Sequence, residues 1–480
     1  MLQLNIIRRV GGIMLMVFAI TLLPSQLLSL VYDDGKFGVF FSLFLFTSAA
    51  GYLLYRNTQV MEPKTRDGFV IVVLIWFGYS LIGALPFVWG MGSSYTDAVF
   101  EVASGLTTTG ATVYSGLDNW PRSMLWYRIQ THLIGGLGVL ILAVAILPLF
   151  NIGGMKLYKA EATGPVKDDK LTPRIAHTAR IFFGVYIALI IADAFGLWAL
   201  GMNWFDALTH SISAVATGGF ANYDASIAHF NSVGIEIVLM LGMLAGGLNF
   251  GLHFLAWRDK RPFVYFGDQE ARAFLLILAT AIGLMTFAVW ATAHSPFWQA
   301  LREVAFTAVS IITCCGFVTV DPSFWPMFVP FMMMMLAYFG GCTGSTGGGI
   351  KILRIYLLFK QASREAKKLI QPNIVAHIKY NGRVVPDEVC NGVMGFFALW
   401  VLTAAIATLL MMACGLSPVA AFGAVAATIN NMGIGLNEVA TSFASVTVTG
   451  KWVLIFTMLI GRLEIFTVFV LFVPLFWRKF

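Results

Sequence analysis

The sequence predicts an all-α membrane protein: two N-terminal spans, then four repeats of span, short helix, glycine loop and span set around a common axis. Three observations predict it, namely the excess of apolar residues, the side on which basic residues fall, and an internal repeat between the spans. Of 480 residues, 58% are hydrophobic and 11% charged, with mean hydropathy +0.80. A soluble domain carries about 25% charged residues. The length would fit about three soluble domains, yet apolar stretches near the roughly 20 residues that cross a bilayer run from end to end.

Ten spans are expected, at residues 11–30, 37–54, 69–87, 129–149, 181–200, 235–254, 274–293, 327–359 (interrupted), 393–413 and 452–477. The first follows Arg8 and Arg9 and shows no small-residue cleavage pattern near Ser29, so it reads as a retained span and not a removed signal. With a cytoplasmic N-terminus, ten spans return the C-terminus to the same side. Of 31 Lys and Arg, 25 then lie on that side, and only Lys36, Arg122, Arg128, Arg302, Lys451 and Arg462 fall elsewhere. This is the positive-inside asymmetry, so the net charge of +7 is topological and not a nucleic-acid footprint. Cys314, Cys315, Cys342, Cys390 and Cys414 show neither metal-ligand nor disulfide-framework spacing and are expected as free thiols.

The repeat lies in segments too short to cross and too apolar for ordinary loops. TDAVFEVASGLTTTGAT, from Thr96, aligns without gaps on FDALTHSISAVATGGFA, from Phe205: Asp97 on Asp206, Ser104 on Ser213, Thr108 on Thr217, Gly110 on Gly219. Two weaker copies, REVAFTAVSIITCCGF and VAAFGAVAATINNMGIG, bring Gly316 and Gly433 into register. A second glycine pattern follows each loop in the next span: Gly135–Gly136, Gly246–Gly247, Gly340–Gly341 and Gly461. The chain therefore divides into a two-span region (1–60) and repeats at 61–155, 156–260, 261–370 and 371–480.

Non-helical backbone at membrane depth survives only where protein buries it or where it lines water. Four re-entrant loops need one shared cavity, which a ring around a central pore supplies. A short helix entering from outside presents the negative end of its dipole to that centre, and loop carbonyls can replace an ion's hydration shell. The expected filter is Thr107, Thr108, Thr109 and Gly110; Ala216, Thr217, Gly218 and Gly219; Thr313, Cys314, Cys315 and Gly316; Asn430, Asn431, Met432 and Gly433. Backbone carbonyls of Thr108, Thr109, Thr217, Gly218, Cys314, Cys315, Asn431 and Met432 are the candidate ligands. No loop carries an acid, which points to a large monovalent cation over a divalent one.

The loops SGLTTTGAT, AVATGGF and ATINNMGIG, the segment GGCTGSTGGGIK and the C-terminal GRLEIFTVFVLFVPLFW resemble the TrkH family, membrane subunits of bacterial Trk potassium uptake systems in the Trk/Ktr/HKT superfamily. The resemblance covers nearly the whole chain, including two N-terminal spans that the Ktr branch lacks. It implies potassium as the transported ion, with no organic cofactor bound by this chain. It also implies a homodimer in the bilayer of a bacterial inner membrane, both termini cytoplasmic, regulated by cytoplasmic TrkA-type nucleotide-binding subunits. Glycine at the first filter position goes with potassium preference in that family, and all four copies here have it. Two departures stand out: the family more often has threonine and alanine where this chain has Cys314-Cys315, and often proline where it has Ile434.

The interrupted span holds Gly340, Gly341, Cys342, Thr343, Gly344, Ser345, Thr346, Gly347, Gly348 and Gly349, then Ile350 and Lys351. Such a run disfavours helix, each glycine costing up to about 1 kcal/mol against alanine. It reads as an intramembrane gate, the alternative being a passive helix break. A phosphate-binding loop would need lysine directly after the last glycine and a preceding strand. Arg462, inside the last span, is read as a cation beside the pore, with an Arg–carboxylate pair to Glu464 or another acid as alternative. Asp97 and Asp206 are expected to cap the short helices. His132, His210 and His253 are expected as hydrogen-bonded packing residues, and Met332–Met335 as lipid- or core-facing filler. The competing functions are a sodium or ammonium permease, a membrane-embedded phosphotransferase, and a non-conducting receptor or scaffold. The phosphotransferase lacks convergent carboxylate, histidine or lysine groups at one membrane face.

Overall fold

The computed structural model of the chain describes residues 4–58, 65–141, 171–261, 263–292, 296–322 and 325–478. Helices α1 (Leu4–Thr21) and α2 (Leu23–Tyr32) form one apolar rod that breaks at Leu22. Pro24 stands in the first turn of α2, where a missing N–H breaks no helical bond. Helix α3 (Phe37–Tyr55) returns against α1. Their backbones nearly touch at two glycines: a Cβ on Gly12 would meet the Gly51 carbonyl oxygen at 2.7 Å, and one on Gly51 the Gly12 oxygen at 2.8 Å. Small residues permit that approach where lipid supplies no hydrophobic drive between helices.

The first repeat holds α4 (Thr65–Gly83), α5 (Leu85–Met91), the short helix α6 (Tyr95–Leu106) and α7 (Arg122–Ile141). The second holds α8 (Leu171–Ala199), short α9 (Trp204–Val215), and α10 (Val233–Gly247) bent by 101° into α11 (Phe250–Arg258). The third holds α12 (Gln269–Thr292), short α13 (Phe297–Ile312), α14 (Phe328–Phe339), the glycine-rich segment, and α15 (Ile352–Ile370). A hairpin of β1 (Lys379–Tyr380) and β2 (Arg383–Val384), pairing Lys379 with Val384, opens the fourth. It continues with α16 (Asp387–Ala413), short α17 (Pro418–Ile429) and α18 (Val448–Leu463), which bends by 112° into Ile465–Phe472.

Six helices among the described residues are long and apolar enough to cross a membrane, or eight when each bent pair counts as one span. The other two expected positions hold α7, where the residues that follow (142–170) lie outside the described ones, and the interrupted α14–α15. The expected span end at 149, the boundaries near 60 and 155, and the basic residues between 156 and 170 also lie outside them.

Alongside apolar cores, polar groups are buried at the centre and large apolar side chains are exposed on the outside. Ser104, Thr107, Thr217, Thr313 and Asn430 are fully buried, while Leu276, Phe287 and Leu409 are more than half exposed. Large apolar side chains on the outside and hydroxyls at the centre fit a protein whose outer solvent is lipid. The five cysteines are free, four of them buried.

Two sequence expectations need correction. Asp97 and Asp206 are not the caps of α6 and α9. The caps are Ser94, which accepts from the Asp97 N–H, and Asn203, which accepts from the Asp206 N–H. The polar residue three positions upstream has the extended backbone a cap requires, leaving the aspartates in the first turn. Gly340–Gly341 is not equivalent to the other second glycines. A Cβ on Gly135, Gly246 or Gly461 would strike the last carbonyl of the preceding short helix (Leu106, Val215 or Ile429), whereas one on Gly340 would strike Gly348 within the same segment.

Candidate functional site

The short helices α6, α9, α13 and α17 all end in one way. The N–H groups of Thr108, Thr217, Cys314 and Asn431 donate three residues back, at 2.9–3.2 Å, to Gly105, Ala214, Ile311 and Thr428. Those of Thr109, Gly218, Cys315 and Met432 donate five residues back, at 2.7–2.8 Å, to Ser104, Ser213, Ser310 and Ala427. Paired bonds of this kind are the Schellman stop, which needs one left-handed residue and usually takes glycine there. Here it falls on Thr108 (φ 50°), Thr217 (φ 51°), Cys314 (φ 59°) and Asn431 (φ 53°). Non-glycine residues in that region cost on the order of 1–3 kcal/mol each, a cost that clusters at functional sites.

Two residues later each chain is left-handed again, at Gly110, Gly219, Gly316 and Gly433, with φ between 79° and 88°. Here glycine is required twice over, for φ and for space. A Cβ on Gly110 would land on the carbonyl oxygen of Gly218, one on Gly219 on that of Cys315, one on Gly316 on that of Met432, and one on Gly433 on that of Thr109. Each loop therefore rests on the next, and the fourth rests on the first. The four glycines form one closed ring. Asn431 adds a side-chain tie across the last junction, donating to Thr109 Oγ1 at 3.0 Å and to the Met458 carbonyl at 2.9 Å. Thr107 and Thr313 turn their hydroxyls back onto Ala103 and Val309 of their own helices, and Ala216 and Asn430 occupy the equivalent helix ends.

The segment between α14 and α15 packs against the inner ends of three short helices. The Thr346 hydroxyl donates to Val215 O at 2.9 Å and its N–H to Gly246 O at 3.1 Å. A Cβ on Gly347 would meet Thr313 O at 2.8 Å, and one on Gly348 would strike Asn430 O. Cys342 N–H donates to Gly247 O, and Gly344 O accepts from Phe250 N–H. Gly340, Gly344, Gly349 and Lys351 are all left-handed or at positive φ. The Lys351 ammonium folds back onto Ser345 Oγ and the Gly347 carbonyl. Glu270 holds both sides of the segment, accepting from Thr343 N–H at 2.6 Å and Leu353 N–H at 3.1 Å.

Arg462 reaches this segment, donating from Nη1 to Thr346 O at 2.7 Å. Its Nε and Nη2 are buried and make no hydrogen bond among the described residues. The pairing with Glu464 does not occur. Glu464 takes Arg354 at 2.8 Å instead, and Arg354 stacks on Phe396.

Two positioning residues, Glu101 and Arg128, carried no sequence signal beyond being charges in apolar surroundings. Glu101 accepts from Arg128 at 2.6 Å and from Thr112 and Val113 just past the first loop. Arg128 also donates to Ala221 O and lies 3.6 Å from the Phe220 ring centre, past the second loop. Asp97 receives Lys451, and Asp206 receives Asn222 and Tyr223. The histidines are hydrogen-bonded within the packing: His132 with Ser213, His210 with the Asp206 carbonyl, His253 with Tyr265 and the Ala245 carbonyl. Met333 and Met334 are buried and Met335 is exposed. Among the described residues no group of three His, Cys, Asp or Glu could hold a metal ion.

Known proteins match the chain over nearly its full length. The chain is 45% identical to the Trk system potassium uptake protein TrkH of Halomonas elongata, covering all of both chains. It is 42% identical to that of Escherichia coli, covering 98% of this chain and 99% of the other. The crystal structure of the potassium transporter TrkH from Vibrio parahaemolyticus matches with a TM-score of 0.92 at 40% identity, over 99% of this chain and 100% of that one. Residues 35–479 match the TrkH family of cation transport proteins, and the chain belongs to that family.

Proposed function

We propose that the chain carries potassium into a bacterial cell through a pore within each protomer, with the glycine ring as its selectivity filter. The closed ring of Gly110, Gly219, Gly316 and Gly433 at the C-terminal ends of four buried helices carries this reading. Each helix end presents about half an elementary negative charge, so four together present about two. No side-chain carboxylate joins them in the loops. Carbonyls of Thr108, Thr109, Thr217, Gly218, Cys314, Cys315, Asn431 and Met432 take over the hydration shell of the passing ion. The family's transport role and the relatives' names set the reading apart from an enzyme and favour potassium over sodium or ammonium.

The segment from Gly340 to Lys351 is the gate, and Arg462 is its latch. A buried guanidinium with two unsatisfied nitrogen groups raises an electrostatic barrier on the path directly below the ring. Releasing the Thr346 carbonyl from Arg462 moves the barrier and the segment together. The chain crosses the inner membrane ten times with both termini cytoplasmic, pairs as a homodimer, and receives a TrkA-type nucleotide-binding subunit on its basic inner loops.

The test is growth and rubidium uptake at micromolar potassium in a bacterium lacking its own uptake systems, with the regulatory subunit co-expressed. Rescue with saturable rubidium uptake is expected. Absence of both, with the protein confirmed in the membrane, would sink the proposal.

A further inference from the structure

We infer that a groove between the α11–α12 turn and the β1–β2 hairpin binds the phosphate headgroup of an anionic phospholipid of the cytoplasmic leaflet. The groove is open, with a volume of about 770 Å3, and Lys260, Arg261 and Arg383 line it. The acid in its wall is already engaged. Asp268 caps α12 through the Ala271 N–H at 2.8 Å, and its other oxygen accepts from Asn381 at 2.7 Å and Tyr380 at 3.2 Å. Asn381 also exchanges two hydrogen bonds with Gln269, at 3.0 and 3.1 Å. The hairpin is thereby pinned to the start of α12. Arg383 of the hairpin and Lys260 and Arg261 of the turn therefore line one groove.

Chemistry favours a lipid over a soluble anion. Leu252, Leu255 and Phe263 make part of the wall apolar. Around it Trp257, Phe263 and Phe266 are 78%, 76% and 59% exposed, a cost in water and the expected placing of aromatic rings at a bilayer interface. Basic pockets between spans on the cytoplasmic side suit acidic headgroups, each Lys or Arg near the surface being worth about 1 kcal/mol. The placing rests on the proposed orientation; the binding itself does not depend on transport.

The test uses the full chain in mild detergent, with dioctanoyl phosphatidylglycerol or dioctanoyl phosphatidylcholine titrated in and adducts counted by native mass spectrometry. Phosphatidylglycerol adducts are expected at the lower concentration. Lys260→Ala, Arg261→Ala and Arg383→Ala should each weaken them roughly fivefold, while Arg383→Lys retains them and melting stays at the wild-type temperature. Equal binding of both lipids, unchanged affinity in the alanine variants, or displacement by millimolar inorganic phosphate alone would each overturn the inference. Loss of regulatory-subunit capture with lipid binding intact would assign the groove to that protein instead. Rubidium uptake, measured separately, distinguishes failure here from failure of the transport proposal.

Discussion

At the scale of single residues, each loop places a strained residue two positions before its glycine, so the glycine ring is over-determined by its surroundings. Thr108, Thr217, Cys314 and Asn431 accept left-handed backbone because the helix stop behind them and the neighbouring loop beside them leave no alternative. The glycines could be read from spacing alone. The strain could not, because threonine and cysteine are poor left-handed formers and a local reading would not place them there. Cap assignment failed for a related reason: Ser94-x-x-Asp97 and Asn203-x-x-Asp206 each offer two plausible caps, and only the backbone at the first residue decides. Gly110→Ser tests the ring directly. Its Cβ cannot coexist with the Gly218 carbonyl as placed, so the carbonyl must shift and, on the proposed filter role, the ring should lose its match to potassium. Sodium permeation relative to potassium should rise severalfold in flux assays. An unchanged ratio would remove Gly110 from the filter.

At the scale of elements, composition announced the segment between α14 and α15, because six glycines in twelve residues cannot hold a helix. Its partners were not legible. Thr346 bonds to Val215 and Gly246, and Arg462 bonds to Thr346, across sequence separations of 100 residues or more. Glu270 gave no signal beyond an acid at the start of an apolar run, yet it ties both ends of the segment. These contacts tie the segment to the second and third repeats and to the last span, so the proposed gating requires a defined set of bonds to break. Deleting residues 344–349 removes Thr346 and its bonds to both neighbours. Rubidium uptake without the regulatory subunit should rise severalfold over wild type. Uptake that stays low and still requires that subunit would make the segment a passive break in a packed helix.

For the whole molecule, the repeats are also tied to one another outside the loops. Lys451 of the fourth repeat bonds Asp97 of the first at 2.6 Å, Arg128 of the first bonds Ala221 of the second, and Arg302 of the third bonds Glu236 of the second. Repeat order could be read from alignment, but these ties could not, since their partners stand 66 to 354 residues apart and nothing in either local sequence names the other. The Arg128–Glu101 pair within the first repeat is more deeply buried than either inter-repeat ion pair, with side-chain exposures of 2% and 0%. Removing one partner of a buried pair typically costs 3–5 kcal/mol, because the other charge is stranded, whereas replacing both by neutral groups of similar volume costs much less. Arg128→Met should therefore lower the thermal stability of the purified chain by about 3–5 kcal/mol. Glu101→Gln combined with Arg128→Met should recover much of that loss. Stability and selectivity should then part company. The double variant still lacks the guanidinium that holds Ala221 and Phe220 behind the second loop, so its potassium-to-sodium ratio should stay below wild type even where melting is restored. Recovery of both together would reduce Arg128 to a stabilising charge with no hold on the ring.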